Sequence, residues 1–154
     1  MSFRVVEREE TWVAGLPVRS PRRALGKLRD PHLERAWSAV LKQETVGALA
    51  STYTDHAEEI GSYYTQTVGY CCRSLDDVRP GYVVSRIRSG TYAKFTSVGS
   101  HFPDVFTDLW RQIWEAEGRG QIERAFTGDF EYYPHAYCIE LYVAVISSEP
   151  GVPK

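Results

Sequence analysis

The chain has 154 residues and a net charge of -2, with 18 Lys and Arg against 20 Asp and Glu. A single domain of this length buries about 70% of the surface that its unfolded chain exposes, so neither a disulfide nor a metal is required for stability. The balanced charge provides no overall attraction to nucleic acid or anionic lipid, and no segment has the apolar length of a membrane span or signal peptide. We expect a cytoplasmic protein with no direct nucleic-acid or membrane partner.

The first half of the chain contains a predicted hairpin, a helix and a second pair of strands. The hairpin covers Phe3 to Val18 with a charged turn, and Asp30-Pro31 is a helix N-cap followed by proline at the first helical position. Apolar residues at helical spacing extend that helix to about Val46. The two strands that follow are predicted at Ser51–His56 and Tyr63–Arg73.

The second half repeats this order. A hairpin is predicted from Tyr82 to Ser97, then an amphipathic helix that ends at Gly118, a short strand around Phe130 and a last strand from Tyr137 to Ile146. The pattern predicts an α+β fold: a tandem, pseudo-two-fold β-β-α-β-β repeat whose antiparallel sheet carries two amphipathic helices around a central ligand groove. We expect one domain over residues 1–148, with halves at about 1–75 and 80–148, and a short tail at 149–154.

Two glutamates are predicted among apolar and aromatic neighbours. By strand alternation Glu140 shares a face with Cys138 and Tyr142, opposite a core face of Ile139, Leu141 and Val143, and Glu131 lies in an aromatic run. Each glutamate alone is more commonly an edge residue pointing into water. Together with aromatic rings, however, they would complement a bulky organic cation, because each ring face contributes about 0.5 to 2 kcal/mol to a desolvated cation.

Other kinds of site have little support in the sequence. The four histidines are scattered without zinc-ligand spacing, and no nucleotide-binding or nucleophile-elbow motif is present. Cys71, Cys72 and Cys138 cannot all pair and lack a recognisable activating partner, so reduced, buried thiols are expected. We therefore predict no cofactor and no metal.

Several sequence runs, in their order and spacing, resemble the GyrI-like effector-binding superfamily, which includes the effector-binding domains of bacterial transcription activators. These runs are Trp12–Val18, Tyr64–Gly69, Gly90–Phe95, Arg124–Glu131 and Ile139–Val143, together with the helix that carries Trp110 and Trp114. The resemblance implies a tandem fold, a cleft for amphipathic and often cationic drugs, and an acidic residue at the base of the cleft. We assign that acid to Glu131 and Glu140.

The resemblance leaves three functions open. Because the first strand begins near Met1, the chain looks like a stand-alone, drug-binding module similar to integron-cassette relatives, acting as a sensor or sequestering protein without its own DNA-binding domain. Some superfamily members instead hydrolyse cyclopropane-bearing genotoxins, in which case Glu131 and Glu140 would be the catalytic acids, with Tyr92 or Tyr137 nearby. A protein-protein inhibitor is the third possibility, and a transcription regulator or other protein partner is left open.

Candidate walls of the binding cleft are Tyr64, Tyr82, Tyr92, Trp110, Tyr137 and Tyr142.

Overall fold

The computed structural model describes residues 3–19, 31–45, 47–55, 64–98, 104–135 and 138–146. Within these ranges no helix combines the length and the apolar character needed to cross a membrane. The strands are β1 Phe3–Arg8, β2 Thr11–Arg19, β3 Leu49–Thr54, β4 Thr65–Cys72, β5 Val83–Ile87, β6 Gly90–Val98, β7 Asp129–His135 and β8 Cys138–Ala144. The helices are α1 Pro31–Leu41 and α2 Asp104–Gly118.

Helix α1 is shorter than the sequence predicted. It ends at Leu41 instead of continuing to about Val46, and the backbone N–H of Gln43 closes a tight turn on the carbonyl oxygen of Val40. The residues after Leu41 are polar, so they supply no apolar contact that would stabilise a further turn. The predicted N-cap Asp30 and residue Val46 lie outside the described residues.

All eight described strands form one antiparallel sheet in the order β1-β6-β8-β7-β3-β4-β2-β5. The counterparts in the two repeats are β1 and β5, β2 and β6, β3 and β7, and β4 and β8. When every strand is exchanged for its counterpart, the same order is obtained, read from the opposite edge of the sheet. The sheet therefore has a pseudo-two-fold axis between β3 and β7, as expected for a tandem β-β-α-β-β repeat. The predicted α+β class and repeat are confirmed.

The two predicted opening hairpins are wrong. Strand β1 pairs with β6, and β5 pairs with β2, so the first strand of each repeat joins the outer edge of the other repeat. Alternation of apolar residues identified the strands but contains no information about which strand is the partner. The pairs β3–β4 and β7–β8, by contrast, are sequential neighbours in the sheet.

This exchange requires the sheet to be rolled. Only residues 9–10 connect β1 to β2, although six strand spacings separate them in the sheet order. Six spacings of about 4.8 Å would be roughly 29 Å in a flat sheet, whereas this connection reaches only about 10 Å. The inner face of the roll accordingly brings together Ile87, Tyr92, Phe130 and Tyr142 from four different strands.

Both helices pack on the other face, called here the helix face. Under α1, Leu33, Ala36 and Val40 contact Val68, and under α2, Leu109 and Ile113 belong to a second apolar cluster. The second cluster also contains Ile139, Leu141 and Val143, the residues that alternation assigned to the core face of the last strand. The two clusters are separate, so the strip of sheet between the helices has a different composition.

Candidate functional site

Glu131 lies in the middle of that strip. It is the third residue of β7 and is paired across the sheet with Leu141 on one side and Ser51 on the other. Directly paired residues of antiparallel strands point to the same face, so Glu131 lies on the helix face together with Leu141. Its side chain is only 1% exposed. Burying a carboxylate costs several kcal/mol unless hydrogen bonds and charges compensate it, and its surroundings therefore decide what it can do.

Two tyrosines hold the Glu131 carboxylate. The Tyr53 hydroxyl donates a hydrogen bond to Oε2 at 2.5 Å, and the Tyr133 hydroxyl donates one to Oε1 at 2.9 Å. Tyr53 and Tyr133 are the fifth residues of β3 and β7, while Ser51 and Glu131 are the third. The tyrosines are therefore counterparts in the two repeats, and the pseudo-two-fold axis passes between Ser51 and Glu131.

A tryptophan from each helix packs against one of these tyrosines. Trp110 meets the Tyr53 ring edge-on at a centroid distance of 5.3 Å, and Trp37 meets the Tyr133 ring in the same way at 5.7 Å. Each tryptophan is the seventh residue of its helix. Tyr64 extends the cluster, with its ring 5.1 Å from that of Tyr53. These side chains form an aromatic cluster between the helices with the Glu131 carboxylate at its base, and the strip of sheet that they flank is called here the groove.

Polar residues continue the base of the groove away from Glu131. Ser51, its neighbour on β3, is fully buried and accepts a hydrogen bond at 2.7 Å from the side-chain amide of Gln66 on β4. Apolar side chains would be expected at such buried positions if the strip served only as core. A buried polar row along Gln66, Ser51 and Glu131 therefore divides the two apolar clusters.

An internal ion pair supports the α2 side of the groove. Arg124 donates to Asp129 at 2.8 Å, with side-chain exposures of 8% and 0%. The other oxygen of Asp129 accepts the backbone N–H of Ala144 at 2.8 Å. The guanidinium carbon of Arg124 lies 5.4 Å from the Trp110 ring centroid and 4.3 Å from that of Phe126. Arg124 thus fixes one side of Trp110 in place.

Glu140 lies on the opposite face of the sheet. Its register partners are Thr96 and Tyr132, so it alternates with Leu141 and points away from the helices. It forms an ion pair with Lys94 at 3.3 Å and accepts a hydrogen bond from the Tyr142 hydroxyl at 2.7 Å. Glu131 and Glu140 therefore do not share a groove.

Two further candidate wall residues lie on the inner face. Tyr142 stacks on Phe130 at 4.6 Å, and burial together with the hydrogen bond to Glu140 raises its pKa. The Tyr92 hydroxyl donates to the carbonyl oxygen of Arg88, and burial followed by the charge of Asp129 raises the pKa of Tyr92 to about 12. Neither hydroxyl contacts the Glu131 cluster through these bonds.

The remaining candidates lie elsewhere. Tyr82 packs beside Tyr70 and donates to the side-chain oxygen of Gln43 at 3.2 Å, and Tyr137 is outside the described residues. An open depression of about 450 Å³ on the inner face, lined by Pro17, Thr67 and Ser85 among others, includes no residue of the Glu131 cluster. Among the described residues there is no group of three His, Cys, Asp or Glu side chains suited to a metal ion.

Of the eight predicted site residues, the structure brings together Glu131, Trp110 and Tyr64. Sequence reasoning did not select Tyr53, Tyr133 or Trp37. A usable signal was present, because Ser51-Thr52-Tyr53 and Glu131-Tyr132-Tyr133 occupy the same positions in the two repeats. Spacing by two places each tyrosine on the same face as its neighbour at the axis.

Solved structures of other proteins share the fold of this chain. The fold is that of an integron cassette protein from the mobile metagenome of Vibrio cholerae, with a TM-score of 0.75, 24% identity and coverage of 95% of this chain and 97% of that one. SAV2435 bound to tetraphenylphosphonium has the same fold, with a TM-score of 0.66, 11% identity and coverage of 95% and 94%. The chain thus has the α+β fold of these two proteins.

The family description of integron-associated effector binding proteins, Cass2, matches residues 4–145. The chain belongs to this family. It is also 30% identical over 131 residues, covering 80% of each chain, to YobU of Bacillus subtilis (strain 168), a protein proposed to be a transcriptional regulator. The predicted superfamily resemblance is confirmed.

Proposed function

We propose that this protein binds a small, hydrophobic organic cation in the groove between α1 and α2, as a sensor or sequestering module that returns its ligand unchanged. The observation that carries the proposal is the geometry at Glu131, a carboxylate with 1% exposure held by two tyrosine hydroxyls between two tryptophans. Flat aromatic walls and a negative charge at their base are complementary to a lipophilic cation and select little else.

The aromatic walls account for affinity without requiring a narrow ligand shape. Each ring face that contacts a desolvated cation contributes about 0.5 to 2 kcal/mol. Trp37 and Trp110 are both partly exposed, whereas Tyr53, which contacts Trp110, is buried. Because ring contacts have little directional demand, we expect several cations of similar size to compete for one groove.

The charge of Glu131 accounts for selectivity for cations over neutral molecules. Losing one partner of a desolvated charge pair typically costs about 2 to 5 kcal/mol, which is at least about a 30-fold change in affinity. Relatives also support a cation, since SAV2435 has the same fold and was solved with tetraphenylphosphonium bound.

The test is calorimetric titration with tetraphenylphosphonium of the wild type, Glu131→Gln and Glu140→Gln. We expect saturable one-site binding by the wild type and a loss of at least about 30-fold in Glu131→Gln. Glu140→Gln is the matched control, because it makes the same change at a partly buried strand position on the opposite face, where Lys94 pairs with the glutamate. It should bind as tightly as the wild type, and neutral triphenylphosphine oxide should bind weakly to all three proteins.

Recovery of the ligand distinguishes binding from hydrolysis. Mass spectrometry after prolonged incubation should detect the phosphonium intact. A cyclopropane-bearing electrophile should be hydrolysed no faster with the wild type than with Glu131→Gln or without protein. Equal affinity of the wild type and folded Glu131→Gln for the cation would refute the role of this carboxylate. Protein-dependent ring opening would favour the hydrolase.

A further inference from the structure

The groove has two matching halves, which restricts the shape of its ligand. One half consists of Trp110 on α2 and Tyr53 on β3, with ring centroids 5.3 Å apart and planes at 71°. The other half consists of Trp37 on α1 and Tyr133 on β7, at 5.7 Å and 80°. The halves are related by the pseudo-two-fold axis between Ser51 and Glu131, so they lie on either side of the Glu131 carboxylate.

The two halves also match at the exposed residues that follow each groove tryptophan on its helix. The eleventh residue of α1 is Leu41 and that of α2 is Trp114, and both are apolar side chains with high exposure, 62% and 58%. Each lies one helical turn beyond the groove tryptophan of its own helix, and residues four apart share a helix face. Apolar surface therefore continues outward from both halves.

The charge at the axis, in contrast, is not duplicated. The position equivalent to Glu131 is Ser51, whose hydroxyl is neutral and accepts a hydrogen bond from Gln66 at 2.7 Å. Among the described residues, the pseudo-two-fold axis thus carries one carboxylate, that of Glu131, between two apolar half-sites.

We propose that the ligand is a monocation with two flat apolar arms on either side of its charge, each arm lying in one half-site. This inference rests on the proposed function, since it specifies the ligand of the same groove. A dication would leave one charge unmatched at the neutral Ser51. A cation with a single arm would fill one half-site at a time.

The experiment compares a two-armed cation, dimethyldiphenylphosphonium, with a one-armed one, trimethylphenylphosphonium, by calorimetry. The proteins are the wild type, Trp37→Ala, Trp110→Ala and the double variant. For the two-armed cation, each single variant should lose about tenfold in affinity and the double variant about a hundredfold, because both arms lose their ring. For the one-armed cation, each single variant should lose only about twofold, because the other half-site remains available.

Trp12→Ala is the matched control, since Trp12 lies outside the groove, bonded to Glu10 and covered by Arg86. It should bind both cations as the wild type does. If an alanine variant fails to fold, Trp37→Phe and Trp110→Phe keep a ring in each half-site and should weaken the two-armed cation by similar, smaller factors. Loss at one tryptophan with no effect at the other would overturn the two-arm inference and leave cation binding in place. No binding of either cation by the wild type would overturn the proposed function itself.

Discussion

Replacing Arg124 with methionine tests whether the ion pair behind the groove stabilises the fold. Methionine retains most of the length and the packing of the arginine stem but removes the charge. Asp129, which is 0% exposed, would then lose its partner at 2.8 Å and remain buried with the Ala144 N–H as a hydrogen-bond donor. Removing one partner of a buried pair costs about 3 to 5 kcal/mol, so the free energy of unfolding should fall by that amount.

Urea unfolding followed by circular dichroism measures this loss. The urea concentration at the midpoint of unfolding should fall, while the slope of the unfolding free energy against urea concentration should stay the same. Tm should fall by roughly 6 to 20 °C, at about 2 to 4 °C per kcal/mol for a chain of this size. Arg111→Met is the control, because it removes the same group from an Arg–Asp pair at 2.6 Å whose side chains are 62% and 46% exposed. The control should cost less than about 1 kcal/mol, since water screens an exposed pair.

A double-mutant cycle completes the test. Asp129→Asn keeps an oxygen acceptor for the Ala144 N–H but leaves Arg124 buried with a neutral partner. The double variant should therefore be more stable than the sum of the two single losses predicts, by about 1 kcal/mol or more. A cost below about 1 kcal/mol for Arg124→Met, or strict additivity in the cycle, would refute the argument that this pair is desolvated and coupled.

Local geometry also predicts the effects of changes at Gly69, Cys71 and Tyr53. Gly69→Ala should destabilise by about 3 kcal/mol or more in urea unfolding, because a Cβ there would overlap the backbone of the facing strand β2. Burial raises the pKa of Cys71 from 9.0 to about 11, so its alkylation at neutral pH should be much slower than that of a free thiol. Because the pKa of Cys71 is higher in the folded than in the unfolded protein, the free energy of unfolding is unaffected by this thiol below pH 9 and decreases as the pH rises toward 11. Tyr53→Phe removes a hydrogen bond to the buried Glu131 carboxylate and should cost about 1.5 to 3 kcal/mol, whereas Tyr82→Phe, with a weak and exposed bond, should cost about 0.5 kcal/mol.

The sequence by itself determined the identity and order of most elements. Helical spacing ending at Gly118 placed α2, and alternation placed Leu141 and Val143 of β8 on the core face. The recurrence of strands and helix in both halves predicted the repeat. These features depend on local periodicity, 3.6 residues per turn in a helix and two in a strand, and a periodic pattern is visible without any knowledge of tertiary contacts.

The tertiary structure decided which strands pair and which side chains meet. Alternation fixes the face of a residue within its own strand, but only the register between strands relates one strand's faces to another's. Because Glu140 pairs with Tyr132 and Glu131 pairs with Leu141, the two glutamates that looked equivalent in the sequence point to opposite faces. For the same reason Tyr53, more than seventy residues before Glu131, reaches its carboxylate only because β3 and β7 are neighbours at the pseudo-two-fold axis.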